Sequence, residues 1–552
     1  MRFKIHNRDK TPQVREIIGE GRSESPTTEE LNETKPNSPT GKHRIHLHIL
    51  PQSVWASAVM IIALLVEIFF MMFMLRLDIL PGVYMAALAA VLIIIDVVTF
   101  LLMSNRSRTG KRRMAGGIAL IVMVNLLIVC SYYLYSTYDT LQTISDEKSQ
   151  TEQYHVIVLK DGSYEDISQI EGKTVYVIAN KSKMYTEARE KLLSKVKVEY
   201  KEEPDCTTVG ERLVKADGTA SEGDAAAGPD ASTTTSTDEI IFISNTNYEM
   251  LCEENENYKK QTSILFSIPV EIKSNDTARR INVTEDPFNV YITGIDMWGD
   301  IDQVSRSDVN MIMTVNPQTR EILLTSMPRD SYVELHSFGA MDKLTHSGIY
   351  GVEETISTVE DWMGVEINYY VRVNFSMLVD LVNAIGGIDV ESDYAFKSKI
   401  SKYKYVKGMN HLDGKGALYF ARERKAFKAQ DEQRIRNQQI VLEAMFKKIT
   451  SSKVLLSSYT KLLDAVEGKM QTNLSDDDIY SLVKMQLGDM SSWTVKNVSV
   501  HGKGAYKTTY SMGNRELFVS LPKEESVKAA AEAIHDVMYP SDSGHDKNDF
   551  LL

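Results

Sequence analysis

Three long apolar runs stand in tandem near the start of the chain, and each is broken by one strongly polar side chain. Ser53 to Leu75 contains Glu67, Ile79 to Met103 contains Asp96, and Met114 to Tyr135 contains Asn125. About 20 helical residues cross a hydrocarbon core, so the pattern predicts a three-helix membrane anchor over 53–135. A polar tail, residues 1–52, precedes it, which disfavours a cleaved signal peptide. Lys42 and Arg44 lead into the first run, and Arg106, Arg108, Lys111, Arg112 and Arg113 fill the loop before the third, with no acid beside them. Basic loops stay inside, so the N-terminus is expected in the cytoplasm and everything after about residue 136 outside the cell. The three intramembrane polar groups are expected to bond within the helix bundle rather than to line an ion path.

Beyond the anchor, Asp139 to Gln153 reads as a polar connector. Strand-like Tyr154 to Leu159, Thr174 to Ile178 and Glu239 to Ser244, with a helix-like Tyr185 to Val196, predict a small α/β accessory domain over 154–272. Within it, 216–238 is rich in Ala, Gly, Ser, Thr and Asp and is expected to be a disordered insertion. From Asp286 the pattern tightens. Asn289 to Gly294, Val309 to Val315, Glu321 to Met327 and Ile367 to Val373 read as strands, while Tyr350 to Trp362, Phe375 to Ile385, Leu412 to Arg424 and Asp431 to Ile449 read as helices. This alternation predicts an α/β layered domain over 286–450 with helices on both faces of a sheet. Residues 451–552 read as an additional α/β extension and tail.

Composition narrows the function. With 62 basic against 75 acidic side chains, the net charge of −13 argues against a chain-wide nucleic-acid binder. Three cysteines and no Cys-x-x-Cys pair exclude a disulfide scaffold and a zinc ribbon. Cys206 and Cys252 could pair in an oxidising exterior, which spacing alone leaves open, whereas Cys130 reads as an apolar filler in the third span. There is no Gly-x-Ser-x-Gly elbow, His-Glu-x-x-His or Walker-type loop. His336, His346 and His411 lie in loop-like contexts without metal-ligand spacing, and His346 is expected to be exposed.

In so acidic a chain the arginines are informative. Arg306 precedes the second strand of the layered domain, Arg329 follows the third, Arg422 and Arg424 close a helix, and Arg434 and Arg436 open the next. Arg434 and Gln438 are four apart and share a helical face, from which Arg436 is turned away. Each alone is best read as a surface ion pair. Together, at strand ends and a helix start, they suit a phosphate or pyrophosphate, because guanidinium forks onto two oxygens. Asp296 ends the first strand and Asp308 precedes the second, an aspartate pair of the kind that holds Mg²⁺ together with substrate phosphates.

These residues resemble the LytR-CpsA-Psr family of cell-wall glycopolymer ligases. The matching pieces are Tyr291-Ile-Thr-Gly-Ile-Asp, Arg306-Ser-Asp, Ser326-Met-Pro-Arg-Asp, Lys343-Leu-Thr-His, Asn383-Ala-Ile-Gly-Gly-Ile-Asp-Val, Ala421-Arg-Glu-Arg and Arg434-Ile-Arg-Asn-Gln-Gln. The spans and small domain resemble the CpsA-like branch linked to capsule assembly. The resemblance implies an α/β/α sandwich with a central mixed sheet and an apolar tunnel for a polyprenyl chain. It implies Mg²⁺ on Asp296 and Asp308, and phosphates on Arg306, Arg329, Lys343, Arg422, Arg424, Arg434 and Gln438. Arg306, Arg329, Arg422, Arg424 and Asp431 would be catalytic, Asp431 as the base or orienting carboxylate. The lead-in to Arg434, from Phe427 to Gln433, departs from the family pattern. The implied reaction moves a glycopolymer (capsule, teichoic acid or another anionic glycan) from a polyprenyl-pyrophosphate carrier to a peptidoglycan sugar hydroxyl, releasing polyprenyl phosphate. Implied surroundings are the bilayer of a Gram-positive-type cell membrane and capsule assembly proteins, with no nucleic acid. Two alternatives are a polyprenyl-pyrophosphate hydrolase, with water as acceptor, and a non-enzymatic membrane regulator or scaffold; the short polar N-terminal tail, without a helix-turn-helix pattern, disfavours a DNA-binding regulator.

Overall fold

A computed structural model describes residues 54–78, 80–103, 110–145, 150–180, 182–214, 238–272, 277–295, 301–450 and 458–540. The apolar runs form α1 (Val54–Leu77), α2 (Gly82–Met103) and α3 (Gly110–Ser145), all long and apolar enough to cross a membrane. Ala63, Phe70, Leu120, Met123 and Leu127 pack between the helices, while Phe69, Ile93 and Ile121 face outward. A side chain at Gly116 would strike Leu102 and Met103, so glycine sets the close approach of α2 and α3. Glu67 is buried and bonds to Asp96, and Asn125 Nδ2 donates to the Ile121 carbonyl at 2.7 Å. Glu67 and Asp96 thus bond across the bundle as expected, whereas Asn125 faces outward and is satisfied by its own helix. The connector expected at 139–153 is shorter than that: α3 runs on to Ser145, and the next strand opens at Gln150.

The accessory domain is a five-stranded sheet of β1 (Gln150–Leu159), β2 (Thr174–Ile178), β3 (Glu199–Glu203), β4 (Ile240–Ser244) and β5 (Thr262–Ile272), in the order β3-β2-β4-β1-β5. Val156, Val158, Val175, Val177 and Phe242 form one apolar face, covered by the helix Lys183–Lys195 that Ser182 caps. Residues 216–237 of the expected insertion lie outside the described residues. Cys206 is buried, Cys252 is half-buried, and both are free thiols.

The larger layered domain is built on β6 (Phe288–Gly294), β7 (Val309–Asn316) and β8 (Glu321–Met327), followed by the hairpin β9 (Tyr332–Leu335) and β10 (Ala340–Lys343), then β11 (Tyr369–Val373). Four short strands follow: β12 (Ile388–Ser392), β13 (Phe396–Lys397), β14 (Lys404–Tyr405) and β15 (Gly408–Leu412). Next come β16 (Met470–Thr472), β17 (Thr494–Ser499), β18 (Gly502–Thr509) and β19 (Gly513–Pro522). The central mixed sheet has the order β16-β11-β6-β7-β8-β17, with β11 parallel to β6 and β17 parallel to β8. Both edge strands therefore come from beyond residue 450. The boundary expected there does not divide the fold, because the hydrogen-bonding edges of β11 and β8 are filled by β16 and β17.

The helices Val352–Met363 and Glu524–Met538 cover one face through Ile356, Val359, Ala530 and Ile534. The helices Asp431–Ile449 and Asp476–Asp489 cover the other through Leu442, Phe446, Ile479 and Leu482. The result is an α/β/α sandwich. The accessory sheet is bonded to it, the Thr151 N–H donating to the Asp302 carbonyl at 2.7 Å and the Val304 N–H to the Thr151 carbonyl at 3.0 Å. The anchor is joined as well: Leu77 packs with Tyr480, and Lys484 Nζ reaches Asp78 Oδ2 at 2.6 Å.

Candidate functional site

Two loops leave the central sheet on the same side and are held without slack. The loop before β7 is fixed by Arg372, buried beneath it, whose Nη1 and Nη2 donate to the carbonyls of Ile301 and Gln303 at 2.7 and 2.5 Å. Burial pulls the Arg372 guanidinium down to about 10. Ser307 Oγ lies within 2.6 Å of Thr293 Oγ1 and 2.7 Å of Asn310 Oδ1, so the residues on either side of it, Arg306 and Asp308, are turned outward. Behind them sits Gly348, where a side chain would meet the Ser305 carbonyl and the Ser307 nitrogen at 2.7 Å. The loop after β8 carries Arg329 and Asp330, and the Arg329 carbonyl accepts from the Thr345 N–H at 2.8 Å.

On this frame the charged groups converge. Arg329 Nη1 meets Asp308 Oδ1 at 2.7 Å, and Thr345 Oγ1 donates to the same oxygen at 3.1 Å. Lys343 Nζ lies 3.4 Å from Asp330 Oδ1, and Arg434 Nη2 lies 2.5 Å from Asp431 Oδ1 at the start of its helix. Arg306 forks onto both carboxylate oxygens of Glu253, one contact measuring 2.9 Å. Four cations thus face four carboxylates. Burial pushes Asp308 up, but the guanidiniums of Arg329 and Arg306 outweigh it and hold the carboxyl below its usual range. Glu253 behaves likewise, burial being outweighed by Arg306. Burial alone would lower Arg329, yet Asp308 and Asp330 raise it. The buried Nε atoms of Arg329 and Arg434 have no hydrogen-bond acceptor among the described residues.

Of the residues singled out in the sequence, Arg306, Asp308, Arg329, Lys343, Asp431 and Arg434 come together. The surface-pair reading of Arg306, Arg329 and Arg434 holds in that each has its acid, but these pairs are mostly buried and adjoin one another. Arg422 lies over the Phe375 ring at 4.1 Å and Arg424 is exposed on the loop beyond. Their helix ends beside that of Arg434, since Asn437 Nδ2 donates to the Phe420 carbonyl at 3.0 Å. Gln438 is half-buried, and Arg436 turns outward to Asp393 as its spacing requires. Gln430, in the segment that departs from the family pattern, takes φ of 39°, rare for a non-glycine residue. Asp296 lies outside the described residues.

Glu253, Asp330, Thr345 and Arg372 were not anticipated as parts of this cluster. Asp330 could have been found, since it adjoins Arg329. Nothing local marks Glu253, which arrives from the helix Asn245–Glu254. His346 is a correction: it is buried rather than exposed, its Nδ1 lying 2.7 Å from Asp342 Oδ1 and 2.8 Å from Ser511 Oγ, and it ties β10 to the turn between β18 and β19. His336 and His411 are solvent-facing, paired with Asp361 and Asp389, and His411 lies on β15 rather than in a loop.

Comparison with known proteins bears on this site. The LytR_cpsA_psr family model matches residues 244–530, more than half of the chain. Two relatives carry the name polyisoprenyl-teichoic acid–peptidoglycan teichoic acid transferase TagU. The one from Bacillus mycoides (strain KBAB4) is 36% identical over 200 residues, 36% of this chain and 64% of that protein. The one from Enterococcus faecalis (strain ATCC 700802 / V583) is 37% identical over 198 residues, 35% of this chain and 64% of that protein. The chain thus spans just under two thirds of these relatives. Among solved structures, B. subtilis TagV is 25% identical with a TM-score of 0.39, over 46% of this chain and 98% of that one. The family model spans both loops, the helix that supplies Glu253 and both edge strands of the central sheet, and the chain belongs to the LytR-CpsA-Psr family.

Proposed function

We propose that the chain is a membrane-anchored transferase that moves a glycopolymer, joined through phosphate, from a polyprenyl-pyrophosphate carrier to a peptidoglycan hydroxyl. The observation that carries this reading is the convergence of Arg306, Arg329, Lys343 and Arg434 at strand ends and a helix start. Such an arrangement suits a pyrophosphate, and two buried guanidinium N–H groups there remain without acceptors. The names of the TagU relatives agree with it. In the reaction, the acceptor oxygen bonds to the phosphorus next to the glycan and the P–O bond to the lipid phosphate breaks. The acceptor proton passes to a carboxylate, for which Asp431 is the candidate, and polyprenyl phosphate leaves. Negative charge grows on the departing phosphate, where fixed guanidiniums stabilise most. No nucleotide is needed outside the cell, because the pyrophosphate already holds the driving force.

Mg²⁺ fits the donor set. Asp308 is an ionised hard-oxygen ligand whose two hydrogen bonds both fall on Oδ1. Asp308, with Asp296 from the loop before it, would hold the ion, and when bound it would supply further charge neutralisation at the phosphates. Arg422 and Arg424 would flank the same headgroup. The isoprenoid would enter between apolar side chains of the helices Phe375–Ala384 and Asp431–Ile449, among them Met377, Leu381, Val441 and Met445, which pack against one another as core in this structure. The basic flanks of the spans support a cytoplasmic N-terminus with both folded domains outside.

The test is the full chain in detergent with a lipid-linked glycan, with and without peptidoglycan. Polyprenyl phosphate released only with acceptor, and lost in Arg422→Ala/Arg424→Ala, is the expected result. Release at the same rate without acceptor would make the chain a hydrolase.

A further inference from the structure

Residues 394–409 form an arm whose surface is unlike the rest of this acidic chain. Lys397, Lys399, Lys402, Lys404 and Lys407 are all exposed, with no acid in sequence between Tyr394 and Leu412. Between and beside the lysines, Ile400, Val406 and Met409 are 43, 59 and 64% exposed, and Tyr394 is 55% exposed. None of the five lysines forms an ion pair among the described residues. Of the nearby acids, Asp389 pairs with His411 and Asp393, just past β12, with Arg436, which leaves the exposed Glu391, opposite Met409, as one carboxylate beside five lysines.

The arm is not loose. β13 pairs with β14, and the Ser398 N–H donates to the Tyr403 carbonyl at 3.0 Å. Phe396, Tyr405 and Phe420 stack beneath it, and Tyr405 Oη donates to the Gly416 carbonyl at 2.8 Å. The buried Glu423 accepts from the Lys399 N–H at 2.7 Å. Apolar side chains held outward on so rigid a base have been left with no protein to cover them.

The anchor lies close by. The helix Tyr459–Val466 packs Leu462 and Ala465 into the cluster that holds Phe396 and Tyr405. The same helix packs Leu463 and Val466 against Phe73, Leu134 and Tyr138 of α1 and α3. One helix therefore separates the arm's base from the membrane spans.

We propose that the arm seats on the anionic bilayer surface from which α3 emerges, its lysines against lipid phosphates and Ile400, Val406 and Met409 in the interface. A soluble polyanion would explain the lysines but gives the exposed aliphatic groups nothing. A bilayer interface satisfies both, and each lysine brought to such a surface favours the contact by roughly fivefold. If the pyrophosphate reading above is right, the seated arm holds Arg422 and Arg424 at headgroup height, because Glu423 between them is the residue that grips Lys399.

The test uses the full chain in vesicles, with a nitrobenzoxadiazole label on Ile400→Cys and the labelled unsubstituted chain as blank. With phosphatidylglycerol in the vesicles, emission is expected to shift to the blue and rise several-fold over pure phosphatidylcholine. Lys397→Glu/Lys399→Glu/Lys402→Glu/Lys404→Glu should abolish the rise. If that variant melts early, Lys402→Gln alone should need roughly fivefold more phosphatidylglycerol for the same emission. Equal emission in both vesicles overturns the proposal. So does a response to added teichoic acid in phosphatidylcholine vesicles with none to phosphatidylglycerol, which would make the arm a polymer site. The label reports on the arm whether or not transfer occurs, so failure here leaves the transferase reading standing.

Discussion

The carboxylate of Glu253 lies across the guanidinium of Arg306, taking both terminal nitrogens, although the two residues are 53 apart in sequence. The N–H pair that would fork onto a phosphate is therefore already occupied by an acid from outside the layered domain's own strands. The Glu253 side chain is half-exposed, so the pair adds less than about 1 kcal/mol to stability. Its effect should fall on binding. In Glu253→Gln, calorimetric titration with pyrophosphate is expected to show several-fold tighter binding with little change in melting temperature. Unchanged or weaker binding would mean that Glu253 serves to aim Arg306 rather than to compete with the ligand.

Arg329 is the central cation, with Asp308 at 2.7 Å and Asp330 at 3.7 Å. All three side chains are largely buried, so Arg329→Ala leaves acids without their compensation and is expected to cost about 3 kcal/mol, read from chemical denaturation. Arg329→Lys should recover part of that stability while leaving transfer impaired, because an ammonium cannot fork.

Glu152 lies where the accessory sheet meets the larger domain, accepting from the Thr246 N–H at 3.2 Å. Burial raises its carboxyl from 4.5 to about 8, against the opposing hydrogen bonds. The folded state then holds a proton that the unfolded chain has released, so stability should fall as pH rises from about 4.5 to about 8. Glu152→Gln removes the titration. Denaturation midpoints of this variant and the parent should agree near pH 4 and differ by roughly a few kcal/mol at pH 8, the variant being the more stable.

Ile534 is buried against the sheet on the final helix. Ile534→Ala is expected to cost about 2–5 kcal/mol in a single cooperative transition with the rest of the domain. A separate early transition, leaving the central sheet intact, would show that the C-terminal segment is an appendage.

Glu321 to Met327 and Asp431 to Ile449 were legible to the residue, because their apolar periods run unbroken between clear stops. Arg306, Asp308 and Arg329 were legible as a group because they flank strands. β16 was not, being a three-residue strand whose identity depends on its partner β11 rather than on any pattern of its own. Glu253 and Arg372 were hidden for a related reason: one carboxylate and one buried guanidinium carry no signal until the chain has brought distant segments together. His346 looked like a loop residue because its partners, Asp342 and Ser511, lie on two hairpins that sequence reading did not join.

The short strand β16 has a further meaning for anyone handling the outer domains alone. Met470 lies between the sheet and the anchor, packed toward Leu134 and Tyr138, so α3 shields the border of the sheet as well as tethering it. A fragment cut free of its spans bares an oily seam beside a terminal strand, the kind of surface at which two copies stick together. The apolar helix α3 is thus part of the cover that the sheet's border requires.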